Sequence, residues 1–298
     1  MLRKLRTIFL GNALLNIFVC KIYCVISYKL RNRIAYRELF GEKLDLNDRK
    51  TFSAELIYRM RSDEYLNDLP YYVDKYTVRE YVEKNIGKEY LIPLIGVYDK
   101  TKDISWDNIP LGSYLKTNNG SRFNLVYKTP EKHLFYEFIL QQYLTIDYSH
   151  FAGEVQYKRI NPKIIIEQNI TQEEFVKLEY KCFVFNNKVE FIHLNNDLKQ
   201  KCIVDSNGNI ANFSYIKKNC DLIKIDKSIF NNVIKLAEKL SAPFGFVRAD
   251  FISCGNKIYF SELTFSPYAG LSKFHPDEYN YIFGEKLKET NIINKVKL

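Results

Sequence analysis

An α+β fold is what the apolar patterning of this 298-residue chain predicts. Apolar residues recur at helical spacing in the first half and again in Lys227–Leu240. The later chain instead carries short alternating runs joined by turns rich in Asn and Gly. No internal repeat, low-complexity tract or flexible linker divides the body into separately folding units. With 46% hydrophobic and 27% charged residues, general disorder and a polytopic membrane protein are both excluded. The length is sufficient to bury a sizeable core without disulfides or metals.

Taken in order, Thr7–Tyr28 is mostly apolar, interrupted by Asn12, Asn16 and Lys21. It just reaches the roughly 20 residues that a spanning helix needs, but a lysine lies well inside it. Basic residues flank both ends, so no orientation is set, and no small-residue cleavage site follows. Three placements fit such a helix: on an anionic membrane surface, packed on the body, or across the bilayer. Length and charge argue against the last. The chain therefore divides into a basic, helical N-terminal extension over residues 1–42 and a body over residues 43–298.

Charge follows the same division. The formal net charge is +9, yet the first 40 residues hold eight bases and one acid, a net of +7, which leaves +2 for all the rest. The body is nearly neutral and has no basic-aromatic stripe, so nucleic acid is not an expected partner. Six scattered cysteines form no CxxC pair and no zinc spacing. They read as reduced thiols of a cytosolic protein.

Within the body, Leu44–Arg49 reads as a polar turn, and Thr51–Arg61 as a helix with Phe52, Leu56, Ile57 and Met60 on one face. A helix is expected over Lys75–Asn85 and a strand over Tyr90–Tyr98. Ser113–Thr117 is a short strand running into the turn Asn118-Asn119-Gly120-Ser121. Leu134–Leu144 is read as a helix, Ile164–Glu167 as a buried strand, and Thr171–Glu174 as a capping-box helix start. Lys181–Phe185 and Val189–Leu194 form a hairpin around Asn186-Asn187, and Cys202–Val204 with Asn209–Phe213 form another. After the helix Lys227–Leu240, strands Phe246–Ile252 and Ile258–Leu263 are joined by Cys254-Gly255-Asn256-Lys257.

That last strand pair carries the most specific chemistry. Alternation puts Arg248 and Asp250 on one face, and Glu262 and Thr264 on one face of the partner. If the hairpin closes at its Gly-Asn turn, Arg248, Asp250 and Glu262 converge. Two close carboxylates repel unless a cation lies between them. Such a pair suits Mg2+, which takes one or two carboxylates plus nucleotide phosphates. An arginine–carboxylate cluster that only balances charge fits the same spacing. Lys116, leaving a strand beside the Asn118–Ser121 turn, can offer an ammonium and backbone N–H groups to phosphates, although no P-loop order is present. Glu167 ends an apolar strand, where a carboxylate could accept from an adenine amino group or ribose hydroxyls.

Together these segments resemble the ATP-grasp enzymes, and in detail their TupA-like branch from bacterial surface-polysaccharide gene clusters. The resemblance runs from about Leu44 to about Phe274. It rests on Thr51-Phe52, Asp74-Lys75-Tyr76-Thr77-Val78-Arg79-Glu80-Tyr81-Val82, Glu89-Tyr90-Leu91-Ile92-Pro93-Leu94-Ile95-Gly96-Val97 and Val247-Arg248-Ala249-Asp250-Phe251. The most diagnostic stretch is Phe260-Ser261-Glu262-Leu263-Thr264-Phe265-Ser266-Pro267. The resemblance implies two α+β subdomains clamping ATP between them.

By the same resemblance, Lys75 and Lys116 are the nucleotide-contacting lysines and Asn118, Asn119, Gly120 and Ser121 the phosphate-covering loop. Glu167 is the acid at the adenine and ribose end, Glu179 and Lys181 continue the cleft, and Asp250 and Glu262 are the magnesium ligands. Thr264 stands where many relatives carry a ligand Asn; a hydroxyl oxygen can coordinate, or hold a water that does. Arg248 is the basic residue that steadies the transferring phosphoryl group. The loop holds one glycine, Gly120, where many relatives have several. The implied cofactors are ATP and Mg2+.

The implied reaction joins a carboxylate to an amine through an acyl phosphate, with a carboxylate-bearing sugar or polysaccharide precursor and an amine donor as partners. The setting would be the cytoplasm, peripheral to the inner face of the membrane. His133, His150, His193 and His275 need no catalytic role in it. Two other classes compete with it: a glycosyltransferase, for which no Asp-x-Asp follows a strand, and a non-catalytic nucleotide-binding scaffold, against which both lysines and both carboxylates argue.

Overall fold

A computed structural model describes residues 13–171, 175–215 and 223–294. Two helices lead, α1 (Ala13–Val25) and α2 (Tyr28–Phe40), meeting at 104° across a short break. Among the described residues no single helix is long and apolar enough to cross a membrane. The sequence suggested one helix here, and α2 was not anticipated, because its basic residues obscure the spacing of its apolar ones. α1 buries Asn16, Ile17 and Cys20. Ile17 and Cys20 join an apolar cluster with Leu115, Tyr143, Phe151, Ile164 and Ile166.

α3 (Phe52–Arg59) begins at Thr51, whose side chain accepts from the Ala54 N–H at 3.1 Å, satisfying one of the donors a helix start leaves open. Phe52, Leu56, Ile57 and Met60 are all buried, as their spacing predicts. Two short helices follow, α4 (Asp63–Asn67) and α5 (Pro70–Val73), then α6 (Val78–Asn85). α6 starts three residues later than expected because Asp74 accepts from the Tyr76 N–H at 2.7 Å, folding the preceding segment into a turn.

The first sheet contains β1 (Leu94–Tyr98), β2 (Tyr114–Thr117), β3 (Asn124–Val126) and β4 (Ile164–Glu167) in the order β1-β4-β2-β3, all antiparallel. β1 is shorter than expected: Lys88–Tyr90 is a 3-10 turn, and Pro93 has no N–H to give a ladder. The Asn118–Ser121 turn joins β2 to β3. Between β3 and β4 lie α7 (His133–Thr145) and α8 (Tyr148–Ala152), and α1 packs on both.

The second sheet, also antiparallel, runs β7 (Lys201–Asp205), β6 (Lys188–Asn196), β5 (Leu178–Phe185), β8 (Phe246–Cys254) and β9 (Lys257–Thr264) in spatial order. The expected strand at Asn209–Phe213 is reduced to an isolated bridge, Val204 with Ile210. Asp205 Oδ1 accepts from the Asn207 and Asn209 N–H groups and spends that backbone on a turn. The expected helix start at Thr171–Glu174 lies largely outside the described residues.

α9 (Lys227–Ser241) is capped by Asp226, which accepts from the N–H groups of Ser228 and Ile229. It buries Phe230, Val233, Leu236, Ala237 and Leu240 against the sheet. α10 (Glu278–Lys288) packs on α3 so closely that a Cβ on Gly284 would lie 2.3 Å from the Lys50 carbonyl. Cys20, Cys24, Cys182 and Cys254 are free thiols, as expected, whereas Cys202 is disulfide-bonded.

Candidate functional site

The two sheets face each other across a cleft of about 400 Å³. Lys75, Lys116, Gly120 and Ser121 line it from the side of the first sheet, and Glu179, Lys181, Asp250 and Glu262 from the second. Sheet register builds the second wall. His193, Lys181, Asp250 and Glu262 are successive cross-strand partners on β6, β5, β8 and β9, so one row of side chains crosses four strands. Arg248 and Thr264 form the adjoining pair, two residues along on the same face.

Arg248 holds this wall together. Its Nε and Nη2 donate to Asp250 Oδ1 and Oδ2, each at 2.7 Å, and Nη2 also reaches Glu262 Oε1 at 2.9 Å and Thr264 Oγ1 at 3.1 Å. The Thr264 hydroxyl donates to Glu262 Oε1 at 3.0 Å. Lys181 Nζ lies 3.4 Å from Asp250 Oδ2 and 3.7 Å from Glu179 Oε2, and Asn195 donates to Glu179 at 3.0 Å. Burial works against charge on Arg248, but Asp250 and Glu262 outweigh it and keep the guanidinium protonated. Asp250 raises Lys181 in the same way. Burial pushes the Glu262 carboxyl up, yet Arg248, Lys75 and Lys181 together bring it down to about 2.

On the opposite wall, Lys116 Nζ pairs with Glu167 Oε2 at 2.6 Å across β2 and β4. Lys75 Nζ donates to the Gly120 carbonyl, and burial pulls its ammonium down. Asn118 faces inward: its Nδ2 donates to Asp74 Oδ2 at 2.9 Å and to the Asn161 carbonyl at 3.1 Å, and its Oδ1 accepts from the Lys163 N–H at 2.7 Å. Asn119 is buried with its Oδ1 unpartnered among the described residues. Gly120 has φ +113°, and a Cβ there would lie 2.6 Å from the Tyr148 ring, so both conformation and space require glycine.

The residues singled out from sequence thus fall on two facing walls. Glu167 and Arg248 lie behind the front row, and Asn118 and Asn119 form the foot of the loop. Sequence reasoning missed Arg79, which reaches within 3.7 Å of Glu167 and donates to the Ile92 carbonyl at 2.8 Å. Its position one helical turn after Lys75 was the available signal. Also missed was the Tyr268–Tyr215–His193 group beside Arg248. Tyr268 has φ +56°, its ring lies 5.9 Å below the guanidinium, and the Tyr215 hydroxyl is 2.8 Å from His193 Nδ1. Burial lowers His193 to about 3, so its imidazole is neutral.

Among the described residues no group of three or more His, Cys, Asp and Glu forms a self-sufficient metal cage. Asp250 and Glu262 line the cleft with two carboxylates, and the Thr264 hydroxyl donates to Glu262 beside them. Such a partial oxygen set fits a small hard cation that arrives with phosphates and keeps several waters. Facing lysines with a glycine-bearing loop can neutralise and cradle those phosphates.

No curated protein sequence matches this chain. Among solved structures it is similar to D-alanine–D-alanine ligase from Helicobacter pylori, with 14% identity, 74% of this chain and 60% of that one covered, and a TM-score of 0.45. It is similar also to the ATP-complexed D-alanine–D-alanine ligase from Bacillus anthracis, with 12% identity, coverage of 65% and 53%, and a TM-score of 0.41. A third is N5-carboxyaminoimidazole synthase from Aspergillus clavatus in complex with ADP and its ribonucleotide, with 11% identity, coverage of 65% and 44%, and a TM-score of 0.38. The chain therefore spans between 44% and 60% of the length of these proteins. The sequence profile described as TupA-like ATPgrasp matches residues 54–288, most of the chain, and on that match the protein belongs to the TupA-like ATP-grasp family.

Proposed function

We propose that the protein is an ATP- and Mg2+-dependent carboxylate–amine ligase that modifies a carboxylate-bearing sugar or polysaccharide precursor of the bacterial envelope. Residues 43–298 form the ligase domain in this reading. It acts in the cytoplasm, peripheral to the inner face of the membrane. The observation that supports it most is the cross-strand row of Lys181, Asp250 and Glu262 backed by Arg248, opposite Lys75 and Lys116.

Asp250 and Glu262, with Thr264, would hold Mg2+, which supplies charge neutralisation at the β- and γ-phosphates. Lys75, Lys116 and the loop N–H groups bind and orient the triphosphate. The acceptor carboxylate attacks the γ-phosphorus, the bond to the β–γ bridging oxygen breaks, and ADP and an acyl phosphate result. Catalysis of this step is mostly positioning and charge stabilisation. In this reading Arg248, set behind Asp250 and Glu262, steadies the charge of the transferring group and then of the oxyanion formed when the amine attacks the acyl carbon. Phosphate leaves, and the amine gives up its proton. Closure at Asn118–Ser121 excludes water that would hydrolyse the acyl phosphate.

The test is ADP release by the purified chain with Mg2+-ATP and a panel of acids and amines, including sugar carboxylates. Turnover that requires one acid and one amine supports the reading. Full turnover by Asp250→Asn and Glu262→Gln would remove the metal assignment.

A further inference from the structure

The elbow of α1 and α2 carries a surface that the cleft does not use. α1 turns Asn16, Ile17 and Cys20 to the body. Its other side presents Leu14, Phe18, Ile22 and Val25, of which Phe18 is 60% and Val25 86% exposed. α2 adds exposed Leu30 and Ile34 beside a second exposed row, Lys29, Arg33 and Arg37. Spacing by three or four residues stacks each set along one side of its helix. Both helices rest on α8, and Arg31 fixes the corner by donating to the carbonyls of His150 at 2.6 Å, Phe151 at 2.7 Å and Ile26 at 3.1 Å. The outer rows are therefore turned away from the body.

A separate observation lies under α2. Arg61, just after α3, has Nε and Nη2 buried with no hydrogen-bond partner among the described residues. Its guanidinium is disfavoured first by burial and also by the nearby charge of Arg33. An anion drawn to exposed Arg33 would relieve that repulsion. An apolar row beside a basic row is the composition of a helix lying in a membrane interface. Nucleic acid would leave the apolar row unused, and an apolar protein partner would leave the cations unmatched.

We propose that the α1–α2 elbow docks flat on an anionic phospholipid bilayer. Phe18, Ile22, Val25, Leu30 and Ile34 enter the headgroup boundary, while Lys29, Arg33 and Arg37 meet lipid phosphates. This names the surface behind the peripheral placement proposed above, and rests on no part of the ligase chemistry.

The experiment is co-sedimentation of the full chain with vesicles of phosphatidylcholine alone or mixed with phosphatidylglycerol. Binding is expected to the mixed vesicles only, and to weaken as salt rises. At roughly fivefold per basic residue, Lys29→Gln with Arg33→Gln and Arg37→Gln lowers the partition coefficient on the order of a hundredfold. Phe18→Ser with Val25→Ser also weakens binding but keeps its salt dependence. Thermal melts of both variants should match the parent, because all five positions are exposed. Phe18→Trp should show quenching by brominated lipid. Equal binding to neutral vesicles, unchanged binding by both variants, or RNA binding in place of vesicle binding would each overturn the proposal. Vesicle binding by a chain that releases no ADP with any acid–amine pair refutes the ligase reading alone.

Discussion

Arg248 and Glu262 meet on a diagonal. Register pairs Arg248 with Thr264 and Asp250 with Glu262, yet Arg248 Nη2 lies 2.9 Å from Glu262 Oε1 while also bonding Asp250. One guanidinium thereby separates two carboxylates that would otherwise repel and shed a charge. Both acids line the cleft.

The two acids should respond differently to removal of charge. Asp250→Asn loses the bidentate partner of a buried guanidinium and should cost about 1–3 kcal/mol of stability. Glu262 is more open to the cleft, so Glu262→Gln should cost less. Both should lower ADP release on the order of a hundredfold. Denaturant melts beside an ADP assay check the pattern, and equal stability losses would contradict it.

Glu262 should also shape the acid limb of stability. Its folded carboxyl is held at about 2, below the ordinary 4.5. The stability it contributes is full above pH 4.5 and is lost as pH falls toward 2. Glu262→Gln should therefore flatten the melting temperature over that window and leave its slope above pH 5 unchanged. Parallel acid limbs in parent and variant would refute the assignment.

His193 gives a second window. It is held neutral with a folded value of about 3 against an ordinary 6.5, by burial first and then by Lys181. Stability tied to the neutral ring is full above pH 6.5 and declines as pH falls from there toward 3. In an NMR titration of the folded chain the His193 ring should show no midpoint near 6.5.

Asn118 should matter to the fold before it matters to ligand. Its amide supports buried Asp74, the Asn161 carbonyl and the Lys163 N–H. Asn118→Ala should cost about 1–3 kcal/mol by leaving those groups short of partners. Ser121→Ala, at the cleft surface, should instead raise the KM for ATP with little change in melting temperature. The reverse ordering in melts and ATP kinetics would show that the loop works by its asparagine side chains.

The second sheet was legible because its strands alternate and end in Asn or Gly turns, so Asp250, Glu262 and Arg248 could be brought together from spacing alone. The same reasoning could not find the ion pair of Lys116 with Glu167, which depends on β4 lying between β1 and β2, a non-sequential order. The elbow was hidden because α2 is too basic to show an apolar stripe, although Arg31, Asn32 and Tyr36 on its inner side are buried. Tyr268 was invisible for another reason: its left-handed backbone is imposed by tertiary packing, since nothing in Ser266–Gly270 before its glycine favours it.

The five residues of α8 have more neighbours of consequence than their length suggests. The carbonyls of His150 and Phe151 anchor the elbow through Arg31, and the ring of Tyr148 is the floor beneath Gly120. A single short helix is thus footing for both the outer surface and the loop over the cleft. Traffic between a bilayer and the nucleotide would have only one turn of helix to cross, and exchange rates at the Gly120 and Ser121 amides, with and without vesicles, would register its passage.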